Sequence, residues 1–452
     1  MICHDELKEM IAETAERVLV PGMVVGVADH GERVVAATGV RNALTGDPTT
    51  VDTMFQIGSI TKLYTATMMM QLTDDGLVRL DDPITEHLPE LRLAGDPDLS
   101  GITIEMLLTH TSGIEGDCFF DTGRGDDAIE KIIPRLGEIG LIHEPGAGWS
   151  YCNTGFVLCG RIIEKITGLP WHEALARRLV VPLGTIGPLT LLDDVVPHRI
   201  ALGHMPTDGG WVAAPLRSMP WSQVSAGSRP YGTAEDLLTF AEMHLSGGVA
   251  ADGVQVLRAA TVTAMMEHRA DQPRSLTKGQ GLGWFLLDES PELVVAHAGD
   301  TAGFASLLVV VPSRQLAIAA LTNTNHGVAA NFEVVFRLLG EHYQIAASPP
   351  GTVAAEPDRV LDLQLVTGRY HREGVDVDVT VLPDGSGLNV VEHIVREMEG
   401  DVTYVSSLVH HGQLVFVDPS GDSPFACEFT DLDDDGRPHG FVSGARLLRR
   451  IG

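Results

Sequence analysis

The sequence predicts an α+β first domain, an antiparallel sheet with a helical region inserted into it, followed by a small all-β barrel or sandwich. Three observations carry that prediction. Two strand pairs, "GMVVGVADHGERVVAATG" and "SLLVVVPSRQLAIAALTN", lie near the two ends of the region before residue 346. Helix-like segments fill the space between them. Beyond "AASPPGTVAAEPD" the texture changes to short alternating runs, such as "VDVDVTVLPDGSGLNVV", broken by D-G and P-D-G turns.

The elements follow in order. "MICHDELKEMIAETAERV" has the pattern of an amphipathic helix. The first strand pair turns at His30-Gly31. A helix is expected from Ser59 to Thr73, stopped by Asp75-Gly76, and another from Gly155 to Thr167, stopped by Gly168. A third runs from Ala234 to Leu245, capped by Thr233 and stopped by Gly247. The second strand pair turns at Pro312-Ser313-Arg314, and a helix follows from Val328 to Tyr343. Residues 1–345 are expected to form the first domain, 346–357 a linker and 358–452 the barrel.

Bulk properties narrow the partners. Lys and Arg total 31 against 61 Asp and Glu, a net charge of −30. Such a chain repels nucleic-acid backbones and anionic membranes, so neither is an expected partner. The N-terminus lacks the basic start and apolar core of a secretory signal, and no apolar run reaches membrane-spanning length. Five cysteines, odd in number and without a CxxC, read as reduced thiols of a cytoplasmic protein. "DLDDDGRPHGFV" places Asp431, Asp433, Asp435 and Gly436 like the first half of a calcium loop. Its twelfth position is Val442 rather than Glu, so a hairpin turn is expected and no metal or cofactor is.

Chemistry concentrates in three short motifs. "FQIGSITKLYTATMMMQL" puts Ser59 and Lys62 three residues apart at the start of a helix apolar on most faces. Lys62 then shares a face with Ser59, and a lysine desolvated in an apolar wall is able to stay neutral and take the serine proton. Ser275 and Lys278 have the same spacing, but Pro273, Gly279, Gly281 and Gly283 around them leave no rigid helix. "GWSYCNTGF" supplies Tyr151 and Asn153: either a capped loop before a helix, or a proton relay and an amide that orients Lys62 and the substrate. "VVAHAGDTAGF" sets His297 in a strand before Gly299 and Gly303, where a ligand backbone has room to approach. His410-His411-Gly412 fits the same short pattern.

Taken together, in this order, the motifs resemble the serine β-lactamase and penicillin-binding-protein superfamily, specifically its class C-like serine hydrolases. The resemblance covers roughly residues 5–345 and includes "LLTHTSGI", "VPLG" and "GTAEDLLTFAEMHL". It implies a β-lactamase/transpeptidase-like fold, with Ser59 as nucleophile, Lys62 as base, and Tyr151 and Asn153 as the second motif. The backbone N–H groups of Ser59 and Asp300 would form the oxyanion hole. His297 stands where many relatives carry Lys in a KTG, as in esterase, peptidase and peptide-cyclising branches; whether it works as a cation or as a neutral hydrogen-bonding group is open.

The resemblance leaves four readings. One is a stand-alone penicillin-binding-protein-type thioesterase, a macrocyclase that takes a nonribosomal peptidyl thioester from a carrier protein and closes it on its own amine. That branch resembles this chain in its Ser/Lys/Tyr/Asn/His set and in a lipocalin-like C-terminal barrel. The others are a hydrolase of D-residue peptides or small esters, a cell-wall carboxypeptidase or β-lactamase, and a non-enzymatic ligand sensor. The missing signal argues against the third and the intact constellation against the fourth. In the barrel, Arg446, Arg449 and Arg450 are the chief basic feature. Arg446 and Gly299 are candidate substrate contacts, with surface ion pairing the alternative for the arginine.

Overall fold

The computed structural model describes residues 1–214, 219–288, 291–352, 361–396, 400–412, 414–419 and 426–451. Helix α1 (His4–Val18) leads into a hairpin of β1 (Gly22–Asp29) and β2 (Glu32–Asn42), edged by the short β3 (Asp47–Pro48). The later strands β4 (Gly279–Gln280), β5 (Phe285–Asp288), β6 (Val294–Thr301), β7 (Phe304–Val311) and β8 (Leu316–Thr322) complete an eight-stranded sheet. Its order is β3-β2-β1-β8-β7-β6-β5-β4. The ends meet where β1 pairs antiparallel with β8, Met23 opposite Thr322 and Asp29 opposite Leu316. The expected joining of the two ends in one sheet is what the chain does.

Two-sided coverage explains why these strands read as continuous apolar runs. Along β1, Val24 and Ala28 face the helical region, while Met23, Val25 and Val27 face the opposite core. That second core is closed by α1 and by a helix after β8, Gly327–Arg337, which continues as one π-helical turn to His342. Every residue of β7 is buried.

The helical region is organised around α2 (Thr61–Asp74), in which every residue from Thr61 to Leu72 is buried. A helix this uniformly covered needs no polar face, which accounts for its Met68-Met69-Met70 run. Its start differs from the sequence expectation. A 3₁₀ turn, Gly58–Ile60, carries Ser59, and the α-helix begins two residues later. Helix α3 (Asn153–Thr167) packs against α2 and ends at Gly168, whose φ of 70° is the left-handed cap glycine accepts readily. Helix α4 (Ala234–Leu245) opens with a capping box between Thr233 and Asp236.

The C-terminal strands β9 (Gly368–Arg372), β10 (Val375–Val381), β11 (Leu388–Arg396), β12 (Gly400–Gly412), β13 (Val415–Val417), β14 (Cys427–Leu432), β15 (Pro438–Ser443) and β16 (Arg446–Arg450) pair in sequence and close as a barrel. Closure comes from β9 against β16, with Tyr370 opposite Arg450. The rings of Tyr370, Phe416, Phe429 and Phe441 fill its interior, centroids 4.7 to 5.7 Å apart, with Val375 and Val377 buried beside them. The lumen is therefore a packed core rather than a ligand calyx. Asp433 Oδ1 accepts from the N–H groups of Asp435 and Arg437, closing the expected hairpin turn between β14 and β15. Residues 353–360, the later part of the expected linker and the first residues of the expected barrel domain, lie outside the described residues. No described helix is long and apolar enough to cross a membrane.

Candidate active site

Gly58, at φ 51°, bends the chain into the 3₁₀ turn that presents Ser59. Strand β6 passes so close that a Cβ on Gly299 would lie 2.2 Å from the Ile57 carbonyl oxygen and 2.9 Å from the Ser59 nitrogen. A Cβ on Gly58 would lie 2.8 Å from the Asp300 nitrogen. Glycine at both positions thus brings the backbone nitrogens of Ser59 and Asp300 together, the pair expected to hold an oxyanion. The Gly299 α-carbon faces this turn, which places its importance in backbone approach.

Lys62 Nζ sits 3.0 Å from Ser59 Oγ and donates to the Ala226 carbonyl at 2.6 Å. The side chain is fully buried. Burial drives its pKa well below the usual lysine value, Arg446 adds to the depression, and Asp117 opposes it. A neutral amine spends one N–H on Ala226 and turns its lone pair to the serine hydroxyl. That is the arrangement of a general base.

Tyr151 lies beside this pair, with Lys62 Nζ 4.8 Å from the ring centroid. Burial raises the phenol's pKa, against hydrogen bonding with Ser59 and the nearby Arg446 charge. It stays a phenol at neutral pH and is suited to relay a proton as a donor. Its ring stacks with His110 at 4.5 Å, and the Arg446 guanidinium stands 4.7 Å from its centroid.

Asn153 is not the helix cap, and among the described residues its amide does not bond to Lys62. The Cys152 sulfur caps α3 by accepting from Gly155 N–H at 3.2 Å. Asn153 Nδ2 instead donates to Asp117 Oδ1 at 2.9 Å. No motif in the sequence marks Asp117. The same buried carboxylate takes Arg446 Nε at 3.1 Å and Arg372 Nη1 at 3.2 Å, and Glu115 lies 3.4 Å from Arg372. Both arginines come from the barrel, so two domains share one ionic cluster next to the serine.

The barrel is also docked through its backbone. Tyr151 N–H donates to the Ala445 carbonyl at 3.0 Å, and Leu447 N–H donates to Ser150 Oγ at 3.1 Å. Ala445 and Gly444 both have positive φ, forming the tight turn between β15 and β16 that reaches the Tyr151 loop. Arg449 donates to the Ile142 carbonyl, whereas Arg450 bonds to the carbonyls of Leu365 and Thr367 within the barrel. Of the three arginines only Arg446 enters the site, at the domain interface rather than in a surface ion pair. Ser275, the decoy, is a buried turn residue whose N–H donates to Glu428 of β14. His410 and His411 lie on β12, in the barrel.

His297 is buried, stacked on Phe285 with centroids 4.7 Å apart. Its Nδ1 is 2.7 Å from the Ala298 carbonyl, an acceptor, so Nδ1 carries the proton and Nε2 keeps a lone pair. Burial, with the Lys62 charge, pushes its pKa down to about 3. Of the two alternatives for His297 the geometry therefore supports the neutral one. Burial likewise holds His244 at about 3 and His110 well below the ordinary value. A free histidine titrates near pH ~6.5. As pH falls from there toward 3 the unfolded chain gains protons that these folded histidines refuse, and stability drops across that window. The melting temperature should fall steadily between pH 7 and pH 4.5, less so in His297→Gln. A flat profile in the unmodified protein would contradict the burial argument.

Comparison with known proteins bears on the family and the fold. The family model described as Beta-lactamase matches residues 7–339. Penicillin-binding protein 4 of Amycolatopsis lactamdurans is 38% identical over 364 residues, which cover 78% of this chain and 94% of that protein. Among solved structures, SurE is similar over 99% of both chains, at 27% identity and a TM-score of 0.77, and has also been solved with D-Leu. A D-stereospecific amidohydrolase from Streptomyces sp. is similar over 75% of this chain and 98% of its own, at 26% identity and a TM-score of 0.58. The chain belongs to the β-lactamase family, in the superfamily of penicillin-binding proteins and serine hydrolases.

Proposed function

We propose that the protein is a serine acyltransferase that loads a peptidyl group from a carrier-bound thioester onto Ser59 and closes it on the peptide's own amine. In this reading it is a stand-alone penicillin-binding-protein-type thioesterase that cyclises nonribosomal peptides. The observation that carries it is the barrel turn seated on the Tyr151 loop, which adds Arg446 to the edge of the site. The similarity to SurE extends through that same barrel, over 99% of each chain.

The chemistry follows from the contacts. Neutral Lys62 takes the Ser59 proton as Oγ attacks the thioester carbonyl, and the backbone N–H groups of Ser59 and Asp300 receive the oxyanion. Lys62 returns the proton to the departing sulfur as the C–S bond breaks. The amine then attacks the ester, its proton reaching Ser59 Oγ through Lys62 and the Tyr151 phenol. Tethering supplies the amine at a high effective concentration, which lets it compete with water.

A second reading, hydrolysis of D-residue peptides or small esters, uses the same steps with water as acceptor. The similarity to a D-stereospecific amidohydrolase favours it. A linear peptide thioester ending in a D-residue separates the two by mass spectrometry. Loss of thiol without gain of water, with the adduct on the Ser59 peptide during turnover, is the expected result. Linear acid alone, across several peptide lengths, would move the assignment to hydrolase.

A further inference from the structure

Three consecutive peptide N–H groups, those of Ser150, Tyr151 and Cys152, lie just before α3 in neither strand nor helix, so each must find an acceptor elsewhere. The middle one goes to the barrel at Ala445. His110 takes both of the others. Its carbonyl accepts from Ser150 N–H at 3.0 Å, and its ring Nδ1 accepts from Cys152 N–H at 2.9 Å. The same ring stacks on the Tyr151 ring with an interplanar angle of 30°. One histidine therefore holds the peptide units before and after the phenol-bearing residue and also packs against the phenol itself.

Stability alone does not ask for a histidine here. Its φ of 61° is a left-handed conformation that residues with a β-carbon disfavour. An Nδ1 that accepts leaves the ring proton on Nε2, and this buried nitrogen has no hydrogen-bond partner among the described residues. Burial keeps the ring neutral, and the Lys62 charge acts in the same direction. Phenylalanine would fill the space between Tyr151 and Phe156, whose ring centroid is 5.3 Å from that of His110, and strand no donor. What it would not supply is an acceptor for Cys152 N–H. We infer that His110 is a positioning residue: it sets the Tyr151 phenol for proton transfer during deacylation by fixing the peptide units on either side of it. The inference rests on Tyr151 acting as the relay in the acyl-transfer reading above.

The test separates the two half-reactions in the whole chain. With the N-acetylcysteamine thioester of N-acetyl-D-alanine, thiol release reports acylation, which draws on Lys62, and intact-protein mass follows the decay of acyl-Ser59. His110→Asn keeps an oxygen where Nδ1 lies and tolerates the left-handed backbone. His110→Gln carries its amide out to the Nε2 position, and His110→Phe keeps only the ring. Neither of these offers Cys152 N–H an acceptor. Both should slow deacylation about 10²-fold, the cost of displacing a reacting group by an ångström, and leave acylation nearly unchanged. His110→Asn should recover most of the lost rate. Unchanged deacylation in His110→Gln and His110→Phe, a parallel loss in the two half-reactions, or no recovery in His110→Asn would overturn the role of His110. Unchanged deacylation in Tyr151→Phe, or no acyl-enzyme on Ser59 in the unmodified protein, would instead remove the reading on which it rests.

Discussion

Lys62→Met should reduce acylation of Ser59 by about 10³-fold or more, because in the proposed mechanism the nucleophile loses the group that takes its proton. The buried amine is 3.0 Å from Ser59 Oγ. Lys62→Arg should be equally inactive, since a guanidinium does not deprotonate in a protein and so offers no lone pair to the serine. The pH profile supplies an independent check. Burial lowers the Lys62 pKa, so the acylation rate should reach its plateau well below the pH at which an ordinary lysine loses its proton. Stability should move the other way. Removing an amine that folding forces to be neutral should raise the melting temperature of Lys62→Met. Acylation of Lys62→Met within tenfold of the unmodified rate, followed with a fluorophosphonate probe, would exclude Lys62 as the base.

Asp117→Ala should produce the second-largest effect, in both stability and activity. Its carboxylate is buried and accepts from Asn153, Arg446 and Arg372. Removing it leaves the buried Arg372, among the described residues, with Glu115 at 3.4 Å as its remaining carboxylate, and the expected cost is about 3 kcal/mol. Asn153 and Arg446 also lose their common anchor, and a displacement of an ångström at a reacting centre costs roughly 10²-fold in rate. Asp117→Asn retains an acceptor oxygen without the charge and should recover part of both losses. Calorimetry alongside acylation kinetics separates the two effects. Unchanged activity in a destabilised Asp117→Ala would assign the residue to domain docking alone.

Much of this was legible in the residues themselves. The spacing of Ser59 and Lys62 at the head of an unbroken apolar run announces a covered lysine, and α2 is buried as that run implies. The pairing of β1 with β8 follows from two apolar hairpins needing partners. The ionic cluster was not legible, because Asp117 and Arg372 are brought together by domain docking and leave no local period in either segment. The role of Asn153 misled for a related reason. An asparagine before a helix reads as a cap, but Cys152 takes the cap and frees the amide for Asp117. The neutral form of His297 depends on its stacking with Phe285 and its bond to Ala298, and the histidine motif by itself is silent about both.

The bond from Tyr151 to Ala445 has a consequence for the timing of synthesis. A ribosome that has just placed Tyr151 must add roughly 300 more residues before the carbonyl that steadies it exists. At about 5–20 residues per second this takes on the order of half a minute. Throughout that interval Ser59 and Lys62 are already made, while the Tyr151 loop has its contacts with His110 but not those from the barrel. With Ser59 as the proposed nucleophile, the order of translation leaves its site without the Tyr151–Ala445 bond in the nascent chain until the barrel turn has been made.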